Sequence, residues 1–227
     1  MVRFWVLGRF AIEADRVVVE PPRASRARSL LAWLVLHPGP HPRSRLAARF
    51  WPEVLDSSAR ASLRVALSEL RGALGSTADC FTADRSQVGL VADRVWVDAS
   101  VFAELAARGE LEAALELSRG ELLPELDDDW VLEARDDHNA AVVDVLGRLA
   151  SQREASGDLE AAISLSRRMV AIDPLGEAAT RDLMRRQPQP GDASGRGWPP
   201  RQAGRSPPFA CSARSPPPNL HLSLIHI

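Results

Sequence analysis

Residues 57–74 read SSARASLRVALSELRGAL, and this stretch decides how the first half of the chain folds. Its leucines and Ala66 recur every three or four residues, a pattern that predicts an amphipathic helix with one buried stripe. One flank of that stripe carries the arginines of the helix, Arg60, Arg64 and Arg71. The opposite side carries small side chains, at Ala61, Val65 and Ser68. Gly75 comes next and predicts the end of the helix.

The segments on either side of this helix predict a small α+β domain. The first twenty residues alternate or run apolar and predict three short antiparallel strands. Two helices should follow, one over residues 25–36 and one that begins near Ser44, a favourable N-cap residue. After the central helix, two strands at about residues 80–83 and 87–91 should form a hairpin. This order predicts one compact domain, which ends near Val97.

Charge is distributed unequally between the two halves of the chain. The net charge is only −2, but residues 1–97 carry fourteen arginines and nine acidic residues, a balance of +5. Residues 98–187 carry ten arginines and twenty acidic residues, a balance of −10. Such asymmetry indicates that the front half meets a polyanion and that the back half does not.

The back half contains an internal repeat. Residues 109–119 (GELEAALELSR) recur as residues 157–167 (GDLEAAISLSR), with eight of eleven positions identical at a spacing of 48. Repeated helical units of this kind predict a stacked array of helix pairs. A long helix between the copies should begin at the Asp127–Asp129 run, where acidic residues suit a helix N-terminus, and should reach about Ser156.

The composition changes after Arg186. Residues 188–227 hold nine of the seventeen prolines and show no helical periodicity. We expect residues 187–227 to be a disordered tail or the product of a lost reading frame, which would leave the helical domain truncated.

Neither enzymatic nor membrane signals stand out. The sequence has no phosphate-binding glycine loop, no H-E-x-x-H and no C-x-x-C motif, and we expect no enzyme activity, cofactor or metal site. His138 follows Asp136 and Asp137 directly, so these side chains should face different sides of a helix, with His138 at the surface. No apolar run approaches the length of a membrane span, and the expected location is the cytoplasm.

The sequence resembles the bacterial activators of the antibiotic-regulatory-protein (SARP) type over about residues 2–186. These activators join an OmpR/PhoB-type winged-helix domain to a bacterial transcriptional activator domain built of tetratricopeptide-like helices. In the front half the matching stretches are Leu7-Gly8 with Phe10, residues 26–32, residues 43–46, residues 50–52, residues 59–71, and Val97-Asp98 leading to Phe102. In the back half they are residues 122–131 and 157–174. Glu69 departs from the pattern, since many members carry a basic residue there.

The resemblance implies an α+β winged helix over residues 1–97, followed by an all-α tetratricopeptide-like helical repeat domain over residues 98–186. It implies a sequence-specific activator that binds double-stranded promoter DNA, contacts RNA polymerase or itself, and binds direct repeats side by side. The expected DNA-contacting residues are Arg60, Ala61, Arg64, Val65, Ser68, Arg71 and, at the hairpin tip, Arg85. For Arg43, Arg45 and Arg49 on the second helix, phosphate contact, polymerase contact and simple solvation all stay open.

Two other functions stay open as well. One is a tetratricopeptide-type scaffold whose front domain binds protein rather than DNA. The other is the front part of a larger regulator that also has an ATPase domain. Salt separates DNA binding from the scaffold, because only DNA binding should weaken steeply and log-linearly with salt.

Overall fold

Strands and helices are mixed in residues 1–97, and residues 98–187 form helices joined by connecting segments. The computed structural model describes residues 1–187. Its front half contains strands β1 Val2–Trp5, β2 Ala11–Ala14 and β3 Val17–Val19, helix α1 Ser25–Leu36, strand β4 His41–Pro42, helices α2 Arg43–Phe50 and α3 Asp56–Leu74, and strands β5 Phe81–Ala83, β6 Gln87–Leu90 and β7 Val95–Val97. The back half contains α4 Asp98–Arg108, α5 Leu111–Leu117, α6 Asp129–Ala155, α7 Leu159–Ile172 and α8 Glu177–Arg186.

The strands of the front half form two small sheets. The first has the order β3-β2-β1-β7, with β7 parallel to β1 and the other neighbours antiparallel. The second has the order β4-β6-β5 and includes the predicted hairpin. Strands β4 and β7 were not predicted, because segments of two and three residues are too short to show a periodic pattern.

Two predicted helix ends can be compared directly. Gly75 ends α3 with a φ of 54°, as predicted. The predicted N-cap at Ser44 is wrong, since α2 begins at Arg43 and Pro42 precedes it without a side-chain cap. Proline suits that position because its φ is already fixed near the helical value and it has no N–H to leave unbonded.

The internal repeat corresponds to two helix pairs of the same construction. Gly109 follows α4 and Gly157 follows α6, with φ values of 82° and 87°. This left-handed conformation ends the first helix of each pair and favours glycine. Residues 1–187 form one compact unit, so the domain division at residue 97 stays a prediction. The predicted tail lies outside the described residues apart from Gln187.

An irregular segment, residues 118–128, joins the two halves. The Leu123 amide donates to the Val6 carbonyl (2.8 Å), and the Gly8 amide donates to the Glu121 carbonyl (2.8 Å). Arg135 of α6 holds the segment from the other side, with its guanidinium donating to three carbonyl oxygens within 2.9 Å, those of Leu122, Leu123 and Leu126. The backbones approach so closely here that a Cβ at Gly120 would stand 2.6 Å from the Cα of Gly8.

The Asp98 carboxylate is the most deeply buried acid of this joint, with 1% of the residue exposed. It accepts hydrogen bonds from the amides of Val6 (2.9 Å) and Leu7 (3.0 Å), which are 92 and 91 residues away along the chain. Burial raises the pKa of Asp98, and the backbone donors act in the opposite direction. The side chain therefore satisfies two amides at the end of β1 and ties that strand to the start of α4.

Replacing Asp98 by Ala should lower the free energy of unfolding by about 3 kcal/mol, because two buried amides lose their acceptor. Urea denaturation of the full chain measures this change. Asp129→Ala is a suitable control, since it removes an acid from the first turn of α6 rather than from a buried site. Equal stability of the Asp98→Ala variant and the parent would contradict the anchoring role.

Helix α8 is held by a buried guanidinium. The Arg186 side chain is 1% exposed and lies 2.9 Å from Glu154 of α6 and 3.1 Å from Asp182. It also donates to Ser166 of α7 (2.9 Å). The guanidiniums of Arg185 and Arg186, which both bond Glu154, lower the pKa of that carboxyl.

This lowered pKa predicts an acid-sensitive attachment of α8. The contribution of Glu154 to stability is complete above its ordinary value of 4.5 and is lost as the pH falls through the lower folded-state value. The protection factors of the α8 amides, which are the exchange rates corrected for the pH dependence of intrinsic exchange, should therefore fall in acid, and Glu154→Gln should show the lowered protection already at neutral pH. Identical pH profiles for the parent and the Gln variant would contradict this assignment.

Candidate nucleic-acid interface

Helix α3 presents a continuous exposed strip beside its buried stripe. The buried residues, Ala59, Leu63, Ala66, Leu67, Leu70 and Leu74, pack into the core. None of the predicted contact residues is buried, and Ala61 is half-buried while Val65 is 68% exposed. A valine exposed to this extent in the middle of a helix has no role in the core. The strip therefore combines arginines with a small, partly apolar centre.

A groove of about 1010 Å³ lies between α3, the start of α2 and the tip of the β5–β6 hairpin. Five arginines line it, and we call it the arginine groove: Arg43, Arg60, Arg64, Arg71 and Arg85. The structure thus brings together four of the predicted residues and adds Arg43. Ala61, Val65 and Ser68 do not line it and lie beside it, in the uncharged centre of the strip.

The three arginines of α3 differ in how they are held. Arg71 donates to the Ala83 carbonyl (3.2 Å) and lies 5.8 Å from the centre of the Phe81 ring, so it is attached to strand β5. Arg60 has an exposed ion pair with Asp56 at 3.6 Å, a contact of little energetic value. The guanidinium of Arg64 forms neither a hydrogen bond nor an ion pair with any side chain or backbone group of residues 1–187. Arg64 is thus the most available cation of the helix.

The hairpin tip is organised by Asp84. Its carboxylate accepts from the amides of Ser86 (2.6 Å) and Gln87 (2.7 Å) and from the Ser86 hydroxyl (2.9 Å). These hydrogen bonds lower the pKa of Asp84, so the carboxylate stays ionised and directed into its own turn. Arg85 stands between these residues and is exposed.

Arg43 was only one of three candidates on the second helix, and the structure separates it from the others. Its guanidinium donates to the Asp84 carbonyl (3.0 Å), and its amide donates to the Ser86 carbonyl (2.9 Å). Arg45 and Arg49 do not line the arginine groove, and Arg49 lies 5.5 Å from the Trp33 ring centre. The pattern Asp-x-Ser next to a predicted hairpin is the sequence signal that could have located this contact.

Glu69, the departure from the family pattern, has a structural role. Its carboxylate accepts from the Ala24 amide (3.2 Å) at the start of α1. It therefore lies against α1 and does not line the arginine groove.

The expectation that His138 lies at the surface is wrong. The ring is half-buried, lies 4.9 Å from the Phe102 ring centre and has its Nε2 3.0 Å from the Ser118 hydroxyl. Burial lowers the pKa of His138. Within residues 1–187, no three His, Cys, Asp or Glu side chains come together as a metal site would require. No helix in the same range is long and apolar enough to cross a membrane.

The helical half is similar to a known family. Residues 97–194, less than half of the chain, match the family described as the bacterial transcriptional activator domain. This match confirms the predicted resemblance to SARP-type activators in the helical half.

A solved structure has the same overall fold. It is that of Mycobacterium tuberculosis EmbR in complex with a low-affinity phosphopeptide, with 23% sequence identity and a TM-score of 0.50. The match covers 85% of this chain and 67% of the EmbR chain. An α+β front region followed by a helical domain is therefore common to both proteins. Comparison with curated proteins finds no match.

The role of Asp84 can be tested at its backbone donors. Asp84→Ala should accelerate hydrogen exchange at the Ser86 and Gln87 amides, because both lose their acceptor, while the core amides of α3 keep their rates. Ser86→Ala is the matched control, since it removes only the hydroxyl and leaves the carboxylate in place. Unchanged exchange at both amides in Asp84→Ala would contradict the proposed organisation of the tip.

Proposed function

We propose that this protein is a sequence-specific DNA-binding transcriptional activator whose front region acts as a winged helix. The arginine groove is the observation that carries the proposal. A net charge of +5 over residues 1–97 and five converging arginines suit a polyanion. Among residues 1–187, Asp84 is the one acidic residue that lines the groove, and its carboxylate accepts hydrogen bonds within its own turn. An exposed helix next to a hairpin suits entry into a major groove and contact with the adjacent backbone.

The two parts of the exposed strip have different proposed roles. Ala61, Val65 and Ser68 lie at its small, uncharged centre, where a base edge or a thymine methyl group can approach closely. Arg64 is free to reach either a guanine or a phosphate. Arg71 is attached to β5, and we assign it to positioning the hairpin as well as to phosphate contact. Arg85 is placed at the tip to reach the minor groove or its phosphates.

The helical part supplies the proposed activating function. The match to the bacterial transcriptional activator domain supports contact with RNA polymerase or with another copy of the chain. Residues 98–187 carry a net charge of −10, which disfavours DNA and leaves this part for protein contacts. We propose that copies bind side by side on direct repeats of double-stranded promoter DNA, without a cofactor, in the cytoplasm.

Substitution of Arg64 and Arg71 tests the assignment. If Arg64 reads a base, Arg64→Ala should cost about 1–3 kcal/mol of binding and relax preference at one position. Arg71→Ala should weaken binding to all sequences evenly and reduce the salt slope by about one unit. Gel-shift titrations against promoter DNA and point variants of the site measure both effects.

Arg167→Ala is the matched control, because Arg167 is exposed on α7 and far from the arginine groove in sequence and fold. It should leave DNA binding unchanged. The scaffold function predicts instead that the parent shows no salt-dependent DNA binding and that none of the three substitutions alters it. That result would overturn the proposal.

A further inference from the structure

Strand β3 is an exposed apolar edge. It is the end strand of the order β3-β2-β1-β7 and consists of three valines. The Val17 residue is 64% exposed and Val18 is 74% exposed. Edge strands of this composition are templates for pairing with another strand, and proteins usually interrupt them with charge or proline. In β3 the charged residues and the proline lie only at the two ends, with Arg16 before the valines and Glu20 and Pro21 after them.

The preceding turn decides which backbone groups face outward. Asp15 and Arg16 have φ values of 50° and 69°, which describe a two-residue turn of the type that closes hairpins. Such a turn makes Ala14 and Val17 a hydrogen-bonded pair, and hydrogen-bonded pairs alternate along an antiparallel ladder. The N–H and C=O of Val18 therefore point away from β2, and no other strand within residues 1–187 pairs with them.

The charges that flank these valines are complementary under two-fold symmetry. Arg16 precedes the three valines and Glu20 follows them. Both side chains are exposed, and neither has an ion pair within residues 1–187. The stretch from Arg16 to Glu20 is thus the complement of itself when two copies run antiparallel.

We propose that β3 pairs antiparallel with β3 of a second copy of this chain, about a two-fold axis at Val18. The two Val18 residues then exchange a pair of backbone hydrogen bonds, and each Arg16 lies opposite the Glu20 of the other copy. Opposite charges at facing cross-strand positions stabilise such a pair. The sheet becomes continuous across both copies.

Local geometry favours this register over others. Pro21 has no N–H to donate and the turn at Asp15 and Arg16 ends the strand on the other side, so the pairing segment is short. Centring on Val18 is the register that overlaps all three valines and both opposite charges. A two-fold contact closes on itself and gives a dimer rather than a chain of copies. The pairing involves no residue of the arginine groove and does not depend on DNA binding. A two-fold pair presents its two α3 helices in inverted orientation, so this contact is distinct from the side-by-side arrangement proposed on direct repeats.

Charge reversal tests the pairing in the full-length chain. Analytical ultracentrifugation of the parent should show a concentration-dependent dimer by about 0.1 mM, the range expected of a small interface. Arg16→Glu and Glu20→Arg should each raise the dimer Kd on the order of tenfold, because each places like charges opposite one another. An equimolar mixture of these two variants should form heterodimers with a Kd near that of the parent.

The control and a second disruption make the outcome unambiguous. Arg167→Glu reverses a charge on α7 and should dimerise like the parent. Val18→Lys places two ammonium groups at the axis and should abolish the dimer while the thermal unfolding midpoint stays close to that of the parent. A monomeric parent at about 0.1 mM would overturn the proposal. So would a dimer that Val18→Lys leaves intact, or single variants whose mixture does not associate more tightly than either alone.

Discussion

The arrangement of the whole described chain depends on a few hydrogen bonds that cross from β1 to the second half. Asp98 accepts the amides of Val6 and Leu7, and the Leu123 amide returns a bond to the Val6 carbonyl. A buried amide without an acceptor is costly, so the end of β1 is stable only where these groups reach it. The core that contains α1 and α3 is consequently continuous with the core of α4 to α6. The front half and the helical half therefore form one compact unit over residues 1–187.

The exposed strip of α3 is held in place by core packing and by contacts with the neighbouring hairpin. The helix buries six residues against a core that both sheets and α1 complete, which fixes its rotation about its own axis. The hairpin beside it is set by close backbone contact, because a Cβ at Gly89 would collide with the Gly39 carbonyl. Hydrogen bonds from Arg43 and Arg71 to carbonyl oxygens of the hairpin complete the groove. Its shape is consequently built into the fold before any ligand binds.

The sequence alone predicted the parts of the fold that follow a local period. Apolar residues recur every three or four positions in helices α1 and α3 and in the helices of the two repeat copies, so these helices were predicted. The end of α3 was predicted from its glycine, Gly75. Strands β4 and β7 pair with segments distant in the chain, and no local pattern encodes such pairing. The attachment of Arg71 to β5 and the burial of His138 likewise depend on packing between distant elements. The sequence therefore predicted which arginines belong to the exposed strip, whereas the contacts of each guanidinium could be found only in the structure.

Most arginines of the helical half are ion-paired, whereas two arginines of the arginine groove are oriented by carbonyl oxygens. Seven of the ten arginines in residues 98–187 form an ion pair with a carboxylate, including Arg135 with Glu121 and Arg186 with Glu154. In the arginine groove, by contrast, Arg43 and Arg71 are oriented by neutral carbonyl oxygens, which fix a guanidinium without cancelling its charge. A carboxylate partner would have to be displaced before a phosphate could bind, whereas a carbonyl partner can remain in place. At Arg43 and Arg71 the groove thus combines fixed geometry with available charge, a combination that ion-paired arginines cannot provide.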